Sequence, residues 1–334
     1  MYHRRCLWVL TLVCCSLLAA VPVLAQLETY ASPHLFALPT STTTRLMGMG
    51  GFITCLKDAG FPNPAFAGTL SGPSAAARVV FTDFDKGLNL RGEQFFAAYP
   101  LRPNRSGLQL TGFRLRTREA GNTPTPVGPG LVSLEEDDVA LHYGRRMSPD
   151  VCLGLGLSPV FRSTTDYTSA VGGASIAHTE SKGKSGYRLG GLYEFTPQSY
   201  FGFVYDLYHE DVTGTGLAFG PGVKGKFSSH QLALGISGPL CERVMGALEW
   251  GQLSTEGAGA RLSDVGWRYG IEYSPNRLVA VRLGKNDGAF SGGLGLTHGA
   301  WSLQYAYVKD WNDDSVRDTF GASKTNSVEA RYVW

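Results

Sequence analysis

Charge is scarce in this sequence, and the charges that are present nearly cancel. Lys and Arg total 30 and Asp and Glu total 28, which gives a formal net charge of +2. Charged residues make up 17% of the chain, against about 25% in an average soluble domain. So small a net charge gives no electrostatic basis for binding nucleic acid. A hydrophobic content of 43% also excludes a chain that is disordered by composition.

Clustered cysteines and long apolar runs are both lacking beyond residue 25. The three cysteines there, Cys55, Cys152 and Cys241, are odd in number and far apart, which excludes a disulfide framework and a cysteine metal site. We therefore expect small buried thiols, no metal and no cofactor. No run of about 18 apolar residues follows residue 25, so the sequence predicts no membrane-spanning helix in this part of the chain.

The beginning of the chain has the parts of a secretory signal peptide. Arg4 and Arg5 supply positive charge, an apolar run follows, and a cleavage-like site with small residues ends at Ala25. The alternative, an uncleaved helical anchor, is disfavoured because Pro22 breaks the run just before that site. We therefore predict a signal peptide over residues 1–25 and an exported protein.

Glycine and aromatic residues are abundant, which favours strands over helices. The chain has 43 glycines and 11% aromatic residues, and a glycine in a helix costs about 1 kcal/mol relative to alanine. From residue 74 onward, apolar residues alternate with small or polar ones, which is typical of a strand with one apolar face. Fourteen runs follow this pattern: 74–84, 92–100, 107–116, 134–144, 151–158, 187–195, 201–207, 231–237, 242–253, 266–273, 277–285, 288–297, 300–308 and 323–334.

The connections between these runs alternate in length. Short turns marked by Pro or Gly, as at 100–104 and 196–198, alternate with mostly longer polar connections. The longer ones are 117–132, 163–183, 209–225, 254–263 and 310–323. Tight turns at one end and long loops at the other are typical of outer-membrane barrels. The alternative, a secreted soluble sandwich, has no reason to sort its loops in this way.

The composition of the two strand faces supports a barrel. One face is apolar, and the other is largely Gly, Ala and Ser, which suits a narrow or packed lumen. In the run 107–116 the pattern changes phase near Gly112, which predicts a bulge. Backbone groups in hydrocarbon must pair internally, so the sheet must close. We predict an all-β fold, a transmembrane antiparallel β-barrel of about 14 strands over 74–334, in the outer membrane of a Gram-negative-type bacterium.

The chain ends in an aromatic residue on the apolar face of the last run. Trp334 follows Tyr332 on that face, and such an ending resembles the signal that the barrel-assembly machinery reads in Gram-negative outer-membrane proteins. The alternative is an ordinary edge strand that happens to end in Trp. Because closure requires this strand to pair with the first, we interpret Tyr332 and Trp334 as the assembly signal. The expected partners are then that machinery and outer-membrane lipid.

Residues 26–73 differ from the rest of the chain. They are rich in Ala, Gly, Thr and Pro and show no alternation. Glycines near residue 50 permit close packing or positive φ, and Pro64 holds Asn63 away from helical angles, so that its side chain can cap or bridge backbone groups. Irregular backbone at membrane depth is tolerated only inside a barrel. We predict a plug that blocks or gates the lumen; the alternative is a periplasmic lead-in without a gating role.

The same segment resembles the N-terminal region of the FadL-type long-chain fatty acid transporters and their PorV-type relatives. It shares with them a Gly-rich stretch, a short helix and an Asn-Pro-Ala just before the first strand. The residues that the resemblance implies as hatch or ligand-contacting positions are Gly48, Gly50, Gly51, Phe61, Asn63, Pro64, Ala65 and Phe66. The sequence departs from the family pattern at Phe66, where Gly is usual. It is also shorter than the fatty-acid transporters, which makes the PorV-type branch a rival.

Charged residues on the predicted inner face form a further group. These lumen charges are Arg188, Glu249, Arg268, Glu272 and Arg282, since placing an arginine on the lipid face would cost about 2–4 kcal/mol. Mutual ion pairing is the preferred interpretation. The alternative is that one arginine binds a carboxylate head group. The acidic run 135–138 is interpreted as the solvated rim of a loop.

The sequence gives no support to an enzyme. It has no Gly-x-Ser-x-Gly motif and no recognisable nucleophile–base pair. The resemblance implies instead a FadL-like passive channel for hydrophobic small molecules. The alternative is a PorV-type barrel that serves protein secretion or surface attachment by docking secreted or translocon proteins. A general porin is a third candidate.

Overall fold

The protein is described by a computed structural model that covers 42–57, 62–125, 128–169, 173, 175–216, 220–257, 260–311, 317 and 320–334. The predicted signal peptide lies outside these residues. Among the described residues, one α-helix, α1 (Thr44–Gly48), and one 3-10 helix (Pro64–Thr69) precede the first strand. No helix among the described residues is long and apolar enough to cross a membrane.

Fifteen strands follow, and fourteen of them form a closed antiparallel barrel. The strands are β1 (Ser74–Phe84), β2 (Asn89–Arg102), β3 (Ser106–Glu119), β4 (Gly121–Thr125), β5 (Gly128–Arg146), β6 (Val151–Ser169), β7 (Ser175–Thr196), β8 (Ser199–Gly216), β9 (Gly220–Cys241), β10 (Val244–Gly257), β11 (Ala260–Tyr273), β12 (Val279–Asn286), β13 (Ala289–His298), β14 (Trp301–Lys309) and β15 (Ser323–Val333). The first strand pairs with the last from Ser74↔Val333 to Phe84↔Ser323, and β3 pairs directly with β5. The short strand β4 pairs only with β5 and lies outside the ring. The predicted closed barrel of about 14 strands is confirmed.

Each of the fourteen predicted runs corresponds to one strand of the ring, but the loops predicted between them were wrong in part. Much of 163–183 and 209–225 belongs to strands: β6 and β7 remain paired as far as Thr168↔Ser175, and β8 and β9 as far as Gly216↔Gly220. Above the membrane both faces of a strand can be polar, so these extensions lack the alternation that the prediction used. They are nevertheless paired with their neighbours in the ring.

The bulge predicted at Gly112 is also absent, because the register of β3 with β2 and β5 is continuous through this residue. The phase change is real but has another cause. Leu110 is exposed on the outer face, whereas Phe113 and Leu115 are buried on the inner face. The apolar side of the strand therefore changes from outside to inside along β3.

The outer surface of the barrel is apolar. Its exposed side chains include Leu155, Leu157, Tyr187, Tyr269, Ile271, Leu283, Leu294, Leu296, Trp301 and Leu303. At the end where the chain terminates, the ring of Tyr332 lies 4.8 Å from that of Trp301 and 4.9 Å from that of Trp334, which forms part of an aromatic girdle. One expectation about the cysteines was wrong: Cys55 and Cys152 are buried, but Cys241 is exposed because it ends β9 at a tight turn.

Candidate functional site

The described residues before β1 lie inside the barrel. Thr43 caps α1 by accepting a hydrogen bond from the backbone N–H of Leu46, and α1 packs against β12 to β15. Apolar side chains of the segment are almost fully buried: Leu46, Met47, Met49, Phe52, Ile53, Cys55 and Leu56. The described parts of this segment, 42–57 and 62–73, are called the plug below.

Glycines in the barrel wall make room for the backbone of the plug. A Cβ atom on Gly284 would lie 2.0 Å from the carbonyl carbon of Met49, and one on Gly270 would lie 2.0 Å from the carbonyl oxygen of the same residue. A Cβ on Gly154 would lie 2.3 Å from the carbonyl carbon of Pro64. The small residues of the inner face therefore form a surface on which main chain packs on main chain.

The glycines of the plug also pack closely against the rest of the barrel. Gly48 packs on the backbone of Gly293, where an added Cβ would approach its Cα to 3.1 Å. Gly50 and Gly51 have φ values of +109° and +82°, a region open to glycine but costly for other residues. At Gly51 an added Cβ would lie 2.0 Å from the ring of Trp311. These three positions turn the chain sharply against the wall after α1.

Buried carboxylates of the wall bind the backbone of the plug. The Oε2 atom of Glu249, on β10, accepts hydrogen bonds from the backbone N–H groups of Ile53 (2.9 Å) and Thr54 (2.8 Å) and from the Thr54 hydroxyl (2.6 Å). Its Oε1 atom pairs with Arg268 on the neighbouring strand. Glu329, on β15, accepts from the backbone N–H of Thr44 at 3.0 Å. These carboxylates thus accept hydrogen bonds from backbone N–H groups of the plug that have no partner in regular secondary structure.

Arg45 forms an ion pair between the plug and the wall. Its guanidinium donates to both carboxylate oxygens of Glu272 (2.9 and 2.7 Å) and to the carbonyl of Lys57 (2.7 Å). Glu272 also pairs with Arg282, which in turn donates to the side-chain oxygen of Gln304 at 2.7 Å. Two arginines therefore share one carboxylate between β11, β12 and the plug.

Asn63 connects the two described parts of the plug to the wall. Its Nδ2 donates to the carbonyl oxygens of Thr54 (2.7 Å), Gly191 (3.1 Å) and Phe203 (3.2 Å). Its Oδ1 accepts from the backbone N–H of Ala65 at 3.0 Å and so caps the 3-10 helix that begins at Pro64. Asn63 is thus both a cap and a bridge.

The other predicted plug residues lie beside this bridge. Ala65 and Phe66 are fully buried in a cluster under β5 to β7, and the ring of Phe66 meets that of Tyr200 edge-on at 6.2 Å. Pro64 packs against Gly154. The predicted position Phe61 lies outside the described residues.

Arg188 and Arg78 make further polar contacts with the plug. Arg188, on β7, makes a bidentate pair with Asp206 and donates to the carbonyl of Pro62 at 2.9 Å. Arg78, on β1, is almost fully buried and bonds to Ser327, Gln94 and the carbonyl of Thr42. Arg78 was not among the predicted lumen charges, although the alternation of β1 places it on the inner face. All five predicted lumen charges point inward, and all five take part in ion pairs.

A second feature of the interior is an apolar cluster toward the end of the barrel opposite the C-terminus. It is formed by inward side chains of β1, β2, β3 and β5 and by two residues of the connections: Phe84, Leu88, Leu90, Phe113, Leu115, Val132, Leu134 and Phe320. Tyr167 packs against it. A water-filled porin has a polar interior, whereas this part of the interior is apolar.

Comparison with known proteins identifies the architecture through structure rather than sequence. No protein-family model matches the chain, and no curated protein matches it. The Ralstonia pickettii toluene transporter TbuX is similar in structure, with a TM-score of 0.63 and 14% identity over 87% of this chain and 98% of that one. The monoaromatic hydrocarbon channel CymD has a TM-score of 0.60 and 13% identity, with 88% and 97% of the two chains covered.

A FadL homologue from Pseudomonas aeruginosa is similar to the same degree, with a TM-score of 0.60 and 13% identity over 87% of this chain and 98% of that one. These neighbours are transporters and channels rather than enzymes. Nothing in these comparisons supports the PorV-type alternative. The closed fourteen-strand ring, its apolar outer surface and these likenesses identify the chain as an outer-membrane barrel with the FadL-type fold.

Proposed function

We propose that the protein is a passive channel for hydrophobic small molecules across the outer membrane, with the plug as its hatch. The observation that carries this proposal is the apolar cluster inside the barrel wall. Side chains such as Phe113 and Leu115 turn an apolar surface toward the interior, where a channel for ions or sugars needs a polar one. The reported substrates of the structural neighbours, toluene and monoaromatic hydrocarbons, belong to the same chemical class.

The position of the plug favours a channel that is closed to water and ions at rest. It occupies the lumen, and it is bound to the wall through Glu249, Glu272 and Glu329. Passage therefore requires part of the plug to move. Transport is passive in this proposal and follows the concentration gradient of the ligand.

Uptake and conductance measurements together test this proposal. Cells that produce the protein should take up radiolabelled toluene faster than cells without it, and the purified protein should show little ion conductance in planar bilayers. Leu115→Asn, which places an amide in the apolar cluster, should reduce uptake. Arg114→Gln is the matched control, because Arg114 is the adjacent residue and points outward.

Two results would contradict the proposal. Large, steady ion conductance by the wild-type protein would indicate a general porin. Equal toluene uptake with and without the protein, while the barrel is folded in the membrane, would exclude the proposed channel function. Folding is checked by heat-modifiable migration on gels, which reports the intact barrel in each variant.

A further inference from the structure

The acidic run 135–138 is not a solvated loop rim, as its composition suggested, but the middle of β5. Its residues alternate between the two faces of the barrel. Glu135 and Asp137 point outward and pair with Arg116 (3.1 Å) and Arg114 (2.7 Å) on β3. The other two acidic residues, Glu136 and Asp138, point inward.

The inward pair has hydrogen-bonding capacity that the protein does not use. Glu136 is 1% exposed, and its Oε2 atom has no hydrogen-bond partner; the same holds for Oδ1 of Asp138. Ser163, which lies directly opposite Glu136 on β6, is also 1% exposed, and its hydroxyl has no partner. Three buried oxygen atoms from three residues on two adjacent strands are thus left unsatisfied. Buried polar groups in folded proteins are nearly always paired.

The charges around Glu136 make its unsatisfied oxygen atom more unusual. The ionisable groups that act on it are Asp138, Glu210 and Asp137, all acidic. The positive charge that acts on Asp138 is that of Arg188, whose guanidinium is engaged in its bidentate pair with Asp206. Burial with acidic neighbours makes the ionised form of Glu136 costly, so this carboxyl group either holds a proton or is joined by a cation.

One side of this acidic site is apolar. On β3, Leu115 lies directly opposite Glu136 and Phe113 directly opposite Asp138, and cross-strand neighbours on the same face are about 4.5–5.5 Å apart. Both residues belong to the apolar cluster, as does Leu134, the next inward residue of β5. The site therefore joins a hydrophobic wall to two carboxyl groups and a hydroxyl.

We propose that this site binds the ammonium group of a hydrophobic amine, with the carbon skeleton of the amine against Phe113 and Leu115. An ammonium group supplies one positive charge and three donors, which matches the free oxygens of Glu136, Asp138 and Ser163. A metal ion is a poorer match, because the described residues include no group of three ligands placed to hold one. The inference rests on the proposed channel function and narrows its substrate class.

The alternative of a carboxylate ligand has no comparable support in this lumen. Arg188, Arg268 and Arg282 each pair with a carboxylate of the wall. The unsatisfied oxygen atoms beside the apolar cluster belong to two carboxyl groups and a hydroxyl, so a charged ligand that complements them is cationic.

Calorimetric binding of two matched probes to the purified full-length protein tests this inference. The probes are 2-phenylethylamine, which is protonated at neutral pH, and propylbenzene, its neutral isostere. The wild-type protein should bind the amine more tightly than the hydrocarbon. Glu136→Gln should weaken binding of the amine by about tenfold or more, the usual effect of losing a charge-assisted hydrogen bond, and leave propylbenzene unchanged.

Asp138→Asn provides a second variant, and Glu135→Gln provides the matched control, since Glu135 is the adjacent carboxylate on the outer face. Amine binding that is weaker in Asp138→Asn and unchanged in Glu135→Gln supports the site. Equal affinity of the wild-type protein for the two probes, or undiminished amine binding in Glu136→Gln, overturns the inference and leaves the channel function standing. Failure of both probes to bind overturns the channel function as well.

Discussion

The contact between Glu249 and the plug gives a direct test of how the lumen is closed. Glu249 is fully buried, and one of its oxygens accepts three hydrogen bonds from Ile53 and Thr54. Glu249→Gln preserves the shape of the side chain and removes its charge. The amide oxygen can still accept from the plug, but each bond becomes a neutral one.

The size of the effect follows from these three bonds. A hydrogen bond to a charged group contributes about 1.5–3 kcal/mol, and a neutral one about 0.5–1.5 kcal/mol. The variant therefore loses about 1 kcal/mol per bond, or about 3 kcal/mol for the closed plug. Because about 1.4 kcal/mol corresponds to a factor of ten, the fraction of open molecules should rise by about a hundredfold.

The thiol of Cys55 reports opening. Cys55 is fully buried beside this contact, and its carbonyl accepts from the hydroxyl of Ser237 at 2.7 Å. With Cys152 and Cys241 replaced by serine, labelling of Cys55 by a polar maleimide should be slow in the parent protein. It should be about a hundredfold faster in Glu249→Gln, if opening and closing are fast relative to labelling.

Glu93→Gln is the control for this measurement, since Glu93 is an exposed carboxylate of β2 that pairs with Arg91. Its labelling rate should equal that of the parent. If Glu249→Gln is labelled at the parental rate while its barrel remains folded, the carboxylate does not hold the plug in place, and the reasoning fails.

Three further predictions concern other contacts of the plug and the end of the chain. Gly284→Ala should accelerate thiol labelling, because its Cβ would lie 2.0 Å from the carbonyl carbon of Met49, whereas Gly292→Ala, with no atom nearer than 3.7 Å, should not. Asn63→Asp replaces a donor to three carbonyl groups with an acceptor. The free energy that favours the closed plug should fall by about 1–3 kcal/mol, and thiol labelling should accelerate accordingly. An unchanged labelling rate would contradict the bridging role. Deletion of Trp334 should reduce the heat-modifiable fraction in outer-membrane extracts, and an undiminished fraction would exclude an assembly signal there.

The strands of the barrel were predictable because their pattern is local. An alternation of period two, as in Trp301, Leu303 and Tyr305, needs only the neighbouring residues to be recognised, and it requires no knowledge of the partner strand. The errors have the same cause. The runs 163–183 and 209–225 are largely polar on both faces and carry no alternation, and the extra strand β4 is too short to show one.

The contacts of the plug were not predictable, because they join distant parts of the chain. Glu249 is 196 residues from Ile53, and Arg45 is 227 residues from Glu272. The sequence indicated that the inner face carries small side chains and a few charged ones. It could not indicate that the glycines receive the backbone of the plug, or which carboxylate meets which donor.

The change of polarity along β3 indicates where the apolar interior surface lies relative to the edge of the lipid band. The outward pairs Arg114–Asp137 and Arg116–Glu135 would be costly in hydrocarbon, so the lipid band ends below them, near Leu110. The inward residues at the level of these pairs, Phe113 and Leu115, therefore lie above the lipid and form an apolar surface inside the part of the barrel that stands in water. A hydrophobic molecule that enters from that side meets this surface before it reaches the plug. The route in the proposed function therefore begins with partition from water into the protein, and substitutions at this level should change the rate of entry without loosening the plug.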